Sequence, residues 1–424
     1  MKNNYYFLSL FFLVTTANSQ SFSIDVDLRP RFEYRHGFGN LFPDDADPAA
    51  FVVQRSRLNL GYLAERLQVF LSLQDVSTWG DTRQILDYDA NDSFSLFQAW
   101  AKVQLSEHWF AKLGRQVISY DDQRIFGGLD WAMQGRFHDA ALLKYRREGL
   151  QLDLGFAYSQ ENQRQLGTLY TISGFFSYKT MQYVHFSKNW QNSALSLLFL
   201  NNGFQQFLDE NNELADGVYN RQTAGTYFEF PLKDLKFSGS AYYQFGKASP
   251  SRDLSAYQFA LDASYKPQKT LFGMGMEILS GTGQNATGEN HSFFPLYGTN
   301  HKFNGFMDYF YVGNHANSVG LNDFYGKIVF RTGEKSSLLL KGHYFSSNAE
   351  LIENADRYLG TELDAVYTQK ILQDVQMNIG YSHMFASESM SLIKAGRSTD
   401  NTNNWAWIQL IINPVLLKHH FSDK

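Results

Sequence analysis

The sequence predicts an all-β fold, a transmembrane antiparallel β-barrel of about 18 strands in a single domain. Three observations support this: polar and apolar side chains alternate along most of the chain, short and long connections alternate, and 16% of residues are aromatic. Charged residues make up 19%, below the roughly one quarter typical of soluble domains. The aromatic excess suits a barrel that needs an aromatic girdle at each membrane interface.

The N-terminal residues have the layout of a secretory signal peptide. An apolar stretch covers residues 5–14, and Ala17 and Ser19 are small residues at positions −3 and −1 of a cleavage site. About ten apolar residues are too few to cross a hydrocarbon core of about 30 Å as a helix. We therefore expect residues 1–19 to be a signal peptide and residues 20–424 to form the barrel. The mature chain also lacks an apolar run of about 18 residues, which argues against helical spans.

Two-residue alternation is clearest in three segments. In residues 28–35 the charged side chains share one face and the apolar ones share the other, and residues 151–158 and 323–331 repeat the scheme. Successive side chains of a strand point to opposite faces. A soluble sandwich would pack the apolar face against a second sheet, whereas a membrane barrel presents it to lipid and turns the charged face towards the lumen.

The order of strands and connections favours the barrel over the sandwich. Strand-like segments begin near Phe22, Phe51, Leu67, Phe94, Trp109, Asp139, Leu150, Phe175, Ala194, Arg221, Leu235, Leu254, Thr270, Asp323, Ser336, Tyr358, Val375 and Asn404. Short turns alternate with longer stretches at residues 36–50, 76–92, 121–138, 202–220, 280–322, 346–357 and 385–403. Short turns on one side and long loops on the other are typical of outer-membrane barrels. The aromatic 280–322 loop is expected to fold into or over the mouth.

Basic side chains on the inward face are expected to gather on one wall of the lumen. They belong to the first six strands, at Arg29, Arg31, Arg55, Arg57, Lys102, Lys112, Lys144 and Arg146. Two interpretations remain open. These side chains either pair with carboxylates such as Asp27 and Asp153 and stiffen the barrel, or they guide anionic solutes through a narrow pore whose walls focus the field. The planar fork of arginine suits the second role.

Composition and motifs argue against catalysis and nucleic-acid binding. The chain has no cysteine, so it cannot form a disulfide or a thiolate metal site. It contains no nucleophile elbow, zinc-protease or P-loop pattern. The net charge of −5 does not suit a nucleic-acid binder. We expect neither an enzyme nor a cofactor.

Two acidic loop clusters could bind calcium, although solvated turn-forming loops are the favoured interpretation. They are Asp44, Asp45 and Asp47, and then Asp87, Asp89, Asn91 and Asp92. The second cluster begins like an EF-hand loop. Asp92 occupies the glycine position of that motif, however, and Gln98 occupies the position of its bidentate glutamate. We therefore expect no metal site.

Four segments resemble the alginate-export family of outer-membrane barrels, and together they span most of the mature chain. They are DLRPRFEYRHGF, VVQRSRLNLGY, GRQVISYDDQRIFGGLDWAMQGRFHDA and LYGTNHKFNGFMDYFYVGN. The third is the most specific, with Gly114, Arg115, Gln116, Tyr120, Asp121, Arg124, Trp131, Arg136 and Asp139. The fourth comes next, with His301, Gly305, Asp308 and Tyr309. The resemblance implies an eighteen-stranded barrel with an electropositive lumen that passes an anionic uronate polymer out of the cell.

The resemblance also implies which residues form the conduit. These are Arg29, Arg31, Arg55, Arg57, Arg115, Arg124 and Arg136, to which strand alternation adds Lys144 and Arg146. Candidates for a constriction or its loops are Asp121, Trp131, Asp139, His301 and Asp308. Strict alternation would point Arg115 outwards unless Gly114 forms a bulge. Arg124, Trp131 and Arg136 fall in a long loop, where they would form either a constriction or a clasp between loops.

Two functions follow, in the order in which the sequence favours them. The first is an outer-membrane channel that passes anionic polysaccharide or oligosaccharide through an arginine-lined lumen, with export as the expected direction. The alternative is a general or nutrient-uptake porin for small solutes, and a blocked structural barrel is a third class. In each case the expected partners are the lipid bilayer and the outer-membrane assembly machinery, and the expected state is a monomer.

Overall fold

The chain folds into a ring of antiparallel strands. The structure, a computed structural model, describes residues 20–82, 93–168, 170, 178–207, 214–299, 301–352, 355–395 and 397–421. The first ten strands are β1 Gln20–His36, β2 Ala49–Leu63, β3 Leu67–Thr78, β4 Ser95–Gln104, β5 Trp109–Gln116, β6 His138–Arg147, β7 Leu150–Tyr158, β8 Thr180–Trp190, β9 Ser193–Phe207 and β10 Leu214–Leu232.

The remaining strands complete the ring. They are β11 Leu235–Ser249, β12 Arg252–Tyr265, β13 Thr270–Leu279, β14 Leu321–Phe330, β15 Ser336–Ser346, β16 Tyr358–Leu372, β17 Val375–Ala386, β18 Asn403–Ile412 and β19 Val415–Phe421. Two short helices lie in loops, a 3₁₀ helix at Val312–Asn314 and α1 at Glu388–Ser391. No helix among the described residues is both long enough and apolar enough to span a membrane.

The sheet closes on itself through its first and last strands. Consecutive strands pair antiparallel, and β1 pairs with β2 on one side and with both β18 and β19 on the other. Asn413 and Pro414 separate β18 from β19, and proline has no backbone N–H to donate to a ladder. These two segments are one barrel strand in two pieces, so the prediction of an eighteen-stranded antiparallel barrel is confirmed. Closure leaves no sheet edge exposed to lipid.

The two faces of the barrel differ as the alternation predicts. In β1, Phe32 is 42% exposed, whereas its neighbours Arg31 and Glu33 are 5% and 0% exposed. Large apolar side chains such as Phe156 and Met274 are exposed on other strands as well. This distribution is that of a membrane barrel, in which the apolar side chains face lipid and the polar ones face the lumen.

Two long loops fold into the barrel interior. Residues 117–137, here called the first inner loop, connect β5 to β6, and residues 280–320, the second inner loop, connect β13 to β14. The loops touch each other, since Phe126 and Tyr297 form a parallel bridge. Phe293, in the second inner loop, is fully buried. The aromatic content of this loop therefore stabilises it inside the barrel mouth, because its apolar side chains are removed from water.

The prediction of a long loop over residues 202–220 is wrong, because β9 and β10 extend through most of it. Amide side chains within this stretch bond across the two strands. Asn220 Oδ1 accepts from Asn201 Nδ2 at 3.2 Å, and Gln205 Nε2 donates to the carbonyl of Gly217 at 3.2 Å. The strand start predicted near Phe175, the second acidic cluster and the predicted signal peptide lie outside the described residues.

Candidate functional site

Basic side chains from β1, β2 and β4 to β6 form one wall of the lumen, here called the basic wall. Its members are Arg29, Arg31, Arg55, Arg57, Lys102, Lys112, Lys144 and Arg146. Strand register places Arg29 opposite Arg55 and Lys102 opposite Lys112. Each of the four arginines of β1 and β2 donates to a backbone carbonyl of the first inner loop, which lies inside the barrel. These four arginines therefore face the lumen.

Arg29 and Arg55 converge on one carboxylate of the first inner loop. Asp130 Oδ2 lies 2.9 Å from Arg29 Nη1, and Asp130 Oδ1 lies 3.2 Å from Arg55 Nη2. The two guanidinium groups also share Asp27 on the wall itself. The side chain of Asp130 is nevertheless 71% exposed. Two arginines thus hold a carboxylate at the boundary between the basic wall and lumen water.

Trp131 follows Asp130 and forms the centre of an aromatic cluster inside the lumen. The guanidinium carbon of Arg31 lies 4.0 Å from the centroid of one Trp131 ring, which places a cation over an aromatic face. His301 of the second inner loop stacks on Trp131 with the ring centroids 4.0 Å apart. Trp407 of β18 meets Trp131 edge-on at 4.8 Å. Trp131 therefore bridges the basic wall, the second inner loop and the closing strand.

Arg124 and Arg136 fasten the inner loops rather than line open space. Arg124 is 2% exposed, and its Nε lies 2.7 Å from Glu277 Oε1 on β13. The same guanidinium donates to Asn304 of the second inner loop at 2.9 Å. Arg136 donates to the carbonyl of Gly298 at 3.2 Å. Of the two roles open for these arginines, clasp or constriction, the contacts favour the clasp.

The other predicted loop residues also make contacts between elements. His185 Nε2 on β8 lies 3.2 Å from both carboxylate oxygens of Asp121. In the second inner loop, His301 Nδ1 lies 3.7 Å from Asp308 Oδ1. Asp121 therefore joins the first inner loop to the wall, and His301 and Asp308 lie close together beside the aromatic cluster.

Lys144 and Arg146 share a carboxylate on the neighbouring strand. Both side chains pair with Asp153 of β7, at 2.5 Å in each case. Tyr120 of the first inner loop donates its hydroxyl to the same carboxylate at 2.6 Å. This end of the basic wall is therefore partly neutralised, whereas Lys102 and Lys112 form no ion pair among the described residues.

Arg115 and Asp139 lie on the outer surface, so their expected place in the conduit or its constriction is wrong. The register between β4 and β5 runs without interruption from Lys102 opposite Lys112 to Ala99 opposite Arg115. No bulge intervenes, and alternation turns Arg115 away from the lumen. Its guanidinium pairs with Asp139 at 3.0 Å through two hydrogen bonds. Gly114 has a φ of +115°, but this does not move the Arg115 side chain to the lumen face of the strand.

A cluster of carboxylates on β13 to β16 forms the opposite wall, and the sequence analysis missed it. Its members are Glu277, Asp323, Glu362 and Asp364, with His343 among them. His343 Nδ1 lies 2.7 Å from Asp323 Oδ1, and the backbone N–H of Met307 donates to Glu362 Oε1 at 2.8 Å. Strand alternation would have placed each of these residues inwards, as it did for the arginines. The lumen thus has a basic wall and an acidic wall, with the inner loops between them.

The inner loops leave two cavities. The outer vestibule has a volume of about 870 Å³ and is lined by the second inner loop, with contributions from Asn40, Arg252 and Lys394. The inner chamber has a volume of about 590 Å³, and its lining includes Asp130 and Trp131. No cluster of His, Asp and Glu suited to a metal ion occurs in the described ranges, which include the Asp44, Asp45 and Asp47 loop.

The position of Trp131 predicts a channel that widens when its ring is removed. Trp131→Ala is expected to raise single-channel conductance several-fold, because the indole fills the space between the basic wall and His301. The measurement is conductance of the refolded protein in a planar bilayer. Trp79→Ala is the control, since Trp79 is 62% exposed. An unchanged conductance in Trp131→Ala would place the narrowest point elsewhere.

Several solved structures with the same fold come from Pseudomonas aeruginosa, and one of them, OpdK, is described as an outer membrane protein. OpdK has 12% sequence identity over 94% of this chain and 99% of its own, with a TM-score of 0.61. OpdL has 14% identity over 93% and 99%, with a TM-score of 0.62. OccK2 (OpdF), solved in complex with glucuronate, has 12% identity over 93% and 98%, with a TM-score of 0.59. At these identities the likeness concerns the fold.

Sequence comparison identifies the family. A search among curated proteins finds no match. The profile of the family described as alginate export, however, matches residues 20–318, which is more than half of the chain and includes β1 to β13 and both inner loops. Together with the closed eighteen-stranded barrel, this match shows a transport channel of the outer membrane. The chain belongs to the alginate export family.

Proposed function

We propose that this barrel is a conduit for anionic glycans of the uronate class, as oligomers or as a polymer, with export as the direction. The observation that carries the proposal is that Arg29 and Arg55 both bind the Asp130 carboxylate. A uronate carboxylate has the same charge and geometry as an aspartate side chain. A pair of arginines that binds an aspartate side chain is therefore suited to bind a uronate carboxylate, because the guanidinium fork matches a carboxylate.

The basic wall supports passage as well as binding. Lys102 and Lys112 continue the positive charge along the lumen beyond the arginines of β1 and β2. A polyanion could move along such a series by exchanging one cation for the next, because conduction requires sites that bind weakly enough to release. The family profile, described as alginate export, and the glucuronate bound by the structurally similar OccK2 support the same ligand chemistry.

Uptake of small anionic solutes is the second candidate. The observation that favours it is the size of the cavities, about 870 and 590 Å³, within the range of small-molecule sites. A polymer would require the inner loops to move further than a monosaccharide would. In both cases the proposed protein is a monomeric channel without catalytic activity, inserted by the outer-membrane assembly machinery.

The experiment is current block by uronate oligomers, with neutral oligosaccharides of matched length as the comparison. The Arg29→Gln/Arg55→Gln variant is expected to weaken uronate block at least tenfold, because bidentate charge-assisted bonds are lost. Asp130→Asn is expected to strengthen it, because the arginines no longer hold a competing carboxylate. Arg115→Gln is the control: it removes one arginine charge from the outer surface and should leave block unchanged.

Two results would contradict the proposal. If neither uronates nor neutral sugars block the current of the unmodified channel, the protein is a general porin. Equal loss of block in Arg115→Gln and in the Arg29→Gln/Arg55→Gln variant would show that total charge, rather than the paired arginines, controls the current.

A further inference from the structure

The outer vestibule is positively charged. Its described lining contains two cations, Arg252 and Lys394, and no aspartate or glutamate. Four side-chain amides also belong to the described lining, those of Asn40, Gln284, Asn314 and Asn317. Amides bond sugar hydroxyls as donors and acceptors alike. The vestibule therefore combines groups that bind neutral polar atoms with charges that favour an anion.

Lys394 has no negatively charged partner in the described part of the chain. The residue is 9% exposed, and its ammonium donates to the backbone carbonyls of Tyr309 and Gly39. An ammonium has three N–H donors, so these contacts leave one free for a ligand. A buried charge without a counter-charge is costly. Burial lowers the pKa of Lys394 to about 8, so the ammonium remains largely protonated at neutral pH.

Arg252 is placed in the same way on another side of the vestibule. Its Nε donates to the carbonyl of Gly288 at 2.6 Å, and its Nη2 lies 3.5 Å from the carbonyl of Glu289. Both cations therefore hold loop backbone through neutral acceptors. Their positive charge is not cancelled by an ion pair within the described structure, which leaves it available to a bound anion.

We propose that the outer vestibule binds the carboxylate of an acidic sugar, with Lys394 as the principal cation and the amides bonding the hydroxyls. The choice of ligand rests on the function proposed above. The site itself is separate from the Arg29 and Arg55 pair, because long loops rather than β1 and β2 form most of its lining, and the long loops of such barrels lie on the extracellular side. A glycan chain would meet it last on the way out of the channel, or first on the way in.

The test is the sidedness of block in single channels of known orientation, with glucuronate as the probe and glucose as the neutral comparison. In the unmodified channel, extracellular glucuronate is expected to produce block events that glucose does not. Lys394→Gln should weaken extracellular block about tenfold and leave periplasmic block unchanged, and Lys394→Arg should restore it. Arg397→Gln is the matched control, because Arg397 also holds a loop carbonyl, that of Leu41, without lining the vestibule.

A second variant guards against a folding defect in Lys394→Gln. Arg252→Gln leaves the bonds of Lys394 intact and is expected to weaken extracellular block by a smaller factor. Undiminished extracellular block in both variants would overturn the vestibule site, as would block of the unmodified channel from the periplasmic side alone. Absence of extracellular glucuronate block in a channel that uronate oligomers still block would also overturn the vestibule site. Absence of block by the uronate oligomers themselves would instead overturn the proposed function, and the ligand chosen here with it.

Discussion

Arg124→Met is expected to raise single-channel conductance and to expose the inner loops to protease. Arg124 joins the first inner loop to Glu277 on the barrel wall and to Asn304 on the second inner loop. Removal of one partner from a buried ion pair costs about 3–5 kcal/mol, because the other charge is left uncompensated. That free energy is large enough to loosen the loops around Arg124, while Asp121 and Asp130 still hold the first inner loop at other points. Conductance and limited proteolysis in detergent measure the release.

The double variant Arg124→Met/Glu277→Gln separates loss of the arginine from exposure of the glutamate charge. Since Glu277 also accepts a hydrogen bond from Gln258 at 2.9 Å, a glutamine at position 277 keeps a polar partner. We expect the double variant to recover part of the closed, protease-resistant state. An unaltered conductance and cleavage pattern in Arg124→Met would show that the other contacts of the loops hold them without Arg124.

Glu33→Gln is expected to lower the stability of the barrel by about 3 kcal/mol, as for a broken buried pair. Glu33 is fully buried and accepts bonds from Arg31 at 2.9 Å and from Arg35 at 2.8 Å. Its carboxylate also accepts the indole N–H of Trp405 on β18 at 3.0 Å. This carboxylate therefore connects the first strand to the strand that closes the barrel.

The temperature at which the folded barrel unfolds in detergent measures this effect, as a change of mobility on a gel. Glu229→Gln is the control, because Glu229 pairs with Lys236 in a more exposed position, and exposed pairs contribute about 0–1 kcal/mol. A similar fall in unfolding temperature for both variants would show that burial of Glu33 adds nothing to the closure.

The fold was predictable because successive side chains of a barrel strand face the lumen and the lipid in turn, so polar and apolar residues alternate with a two-residue period. Arg31 and Phe32 alone indicate which face meets the lumen and which meets lipid. The same rule, applied strictly, places Arg115 outside. The family resemblance suggested a conduit position for Arg115, but a shared motif does not change the direction in which a strand points its side chains.

The site was harder to predict because its contacts join residues far apart in sequence. Asp130 lies 101 positions from Arg29, and no periodicity relates a loop residue to a strand residue at that separation. The acidic wall was not predicted for another reason: Glu362 and Asp364 show the alternation plainly, but the charges assigned to the lumen were those of the strands near the N-terminus. The acidic wall can be predicted only when the inward-facing positions of all strands are examined for charged residues of both signs.

The Asp130 carboxylate competes with an anionic solute for Arg29 and Arg55, because both arginines already bind it. A tethered carboxylate acts at a high effective concentration, in the millimolar range for short flexible connections. A solute with a single carboxylate must therefore be abundant to displace it. A polyuronate presents many carboxylates on one chain, so each that dissociates is quickly replaced by its neighbour. The loop thus sets a threshold that favours multivalent ligands over monovalent ones.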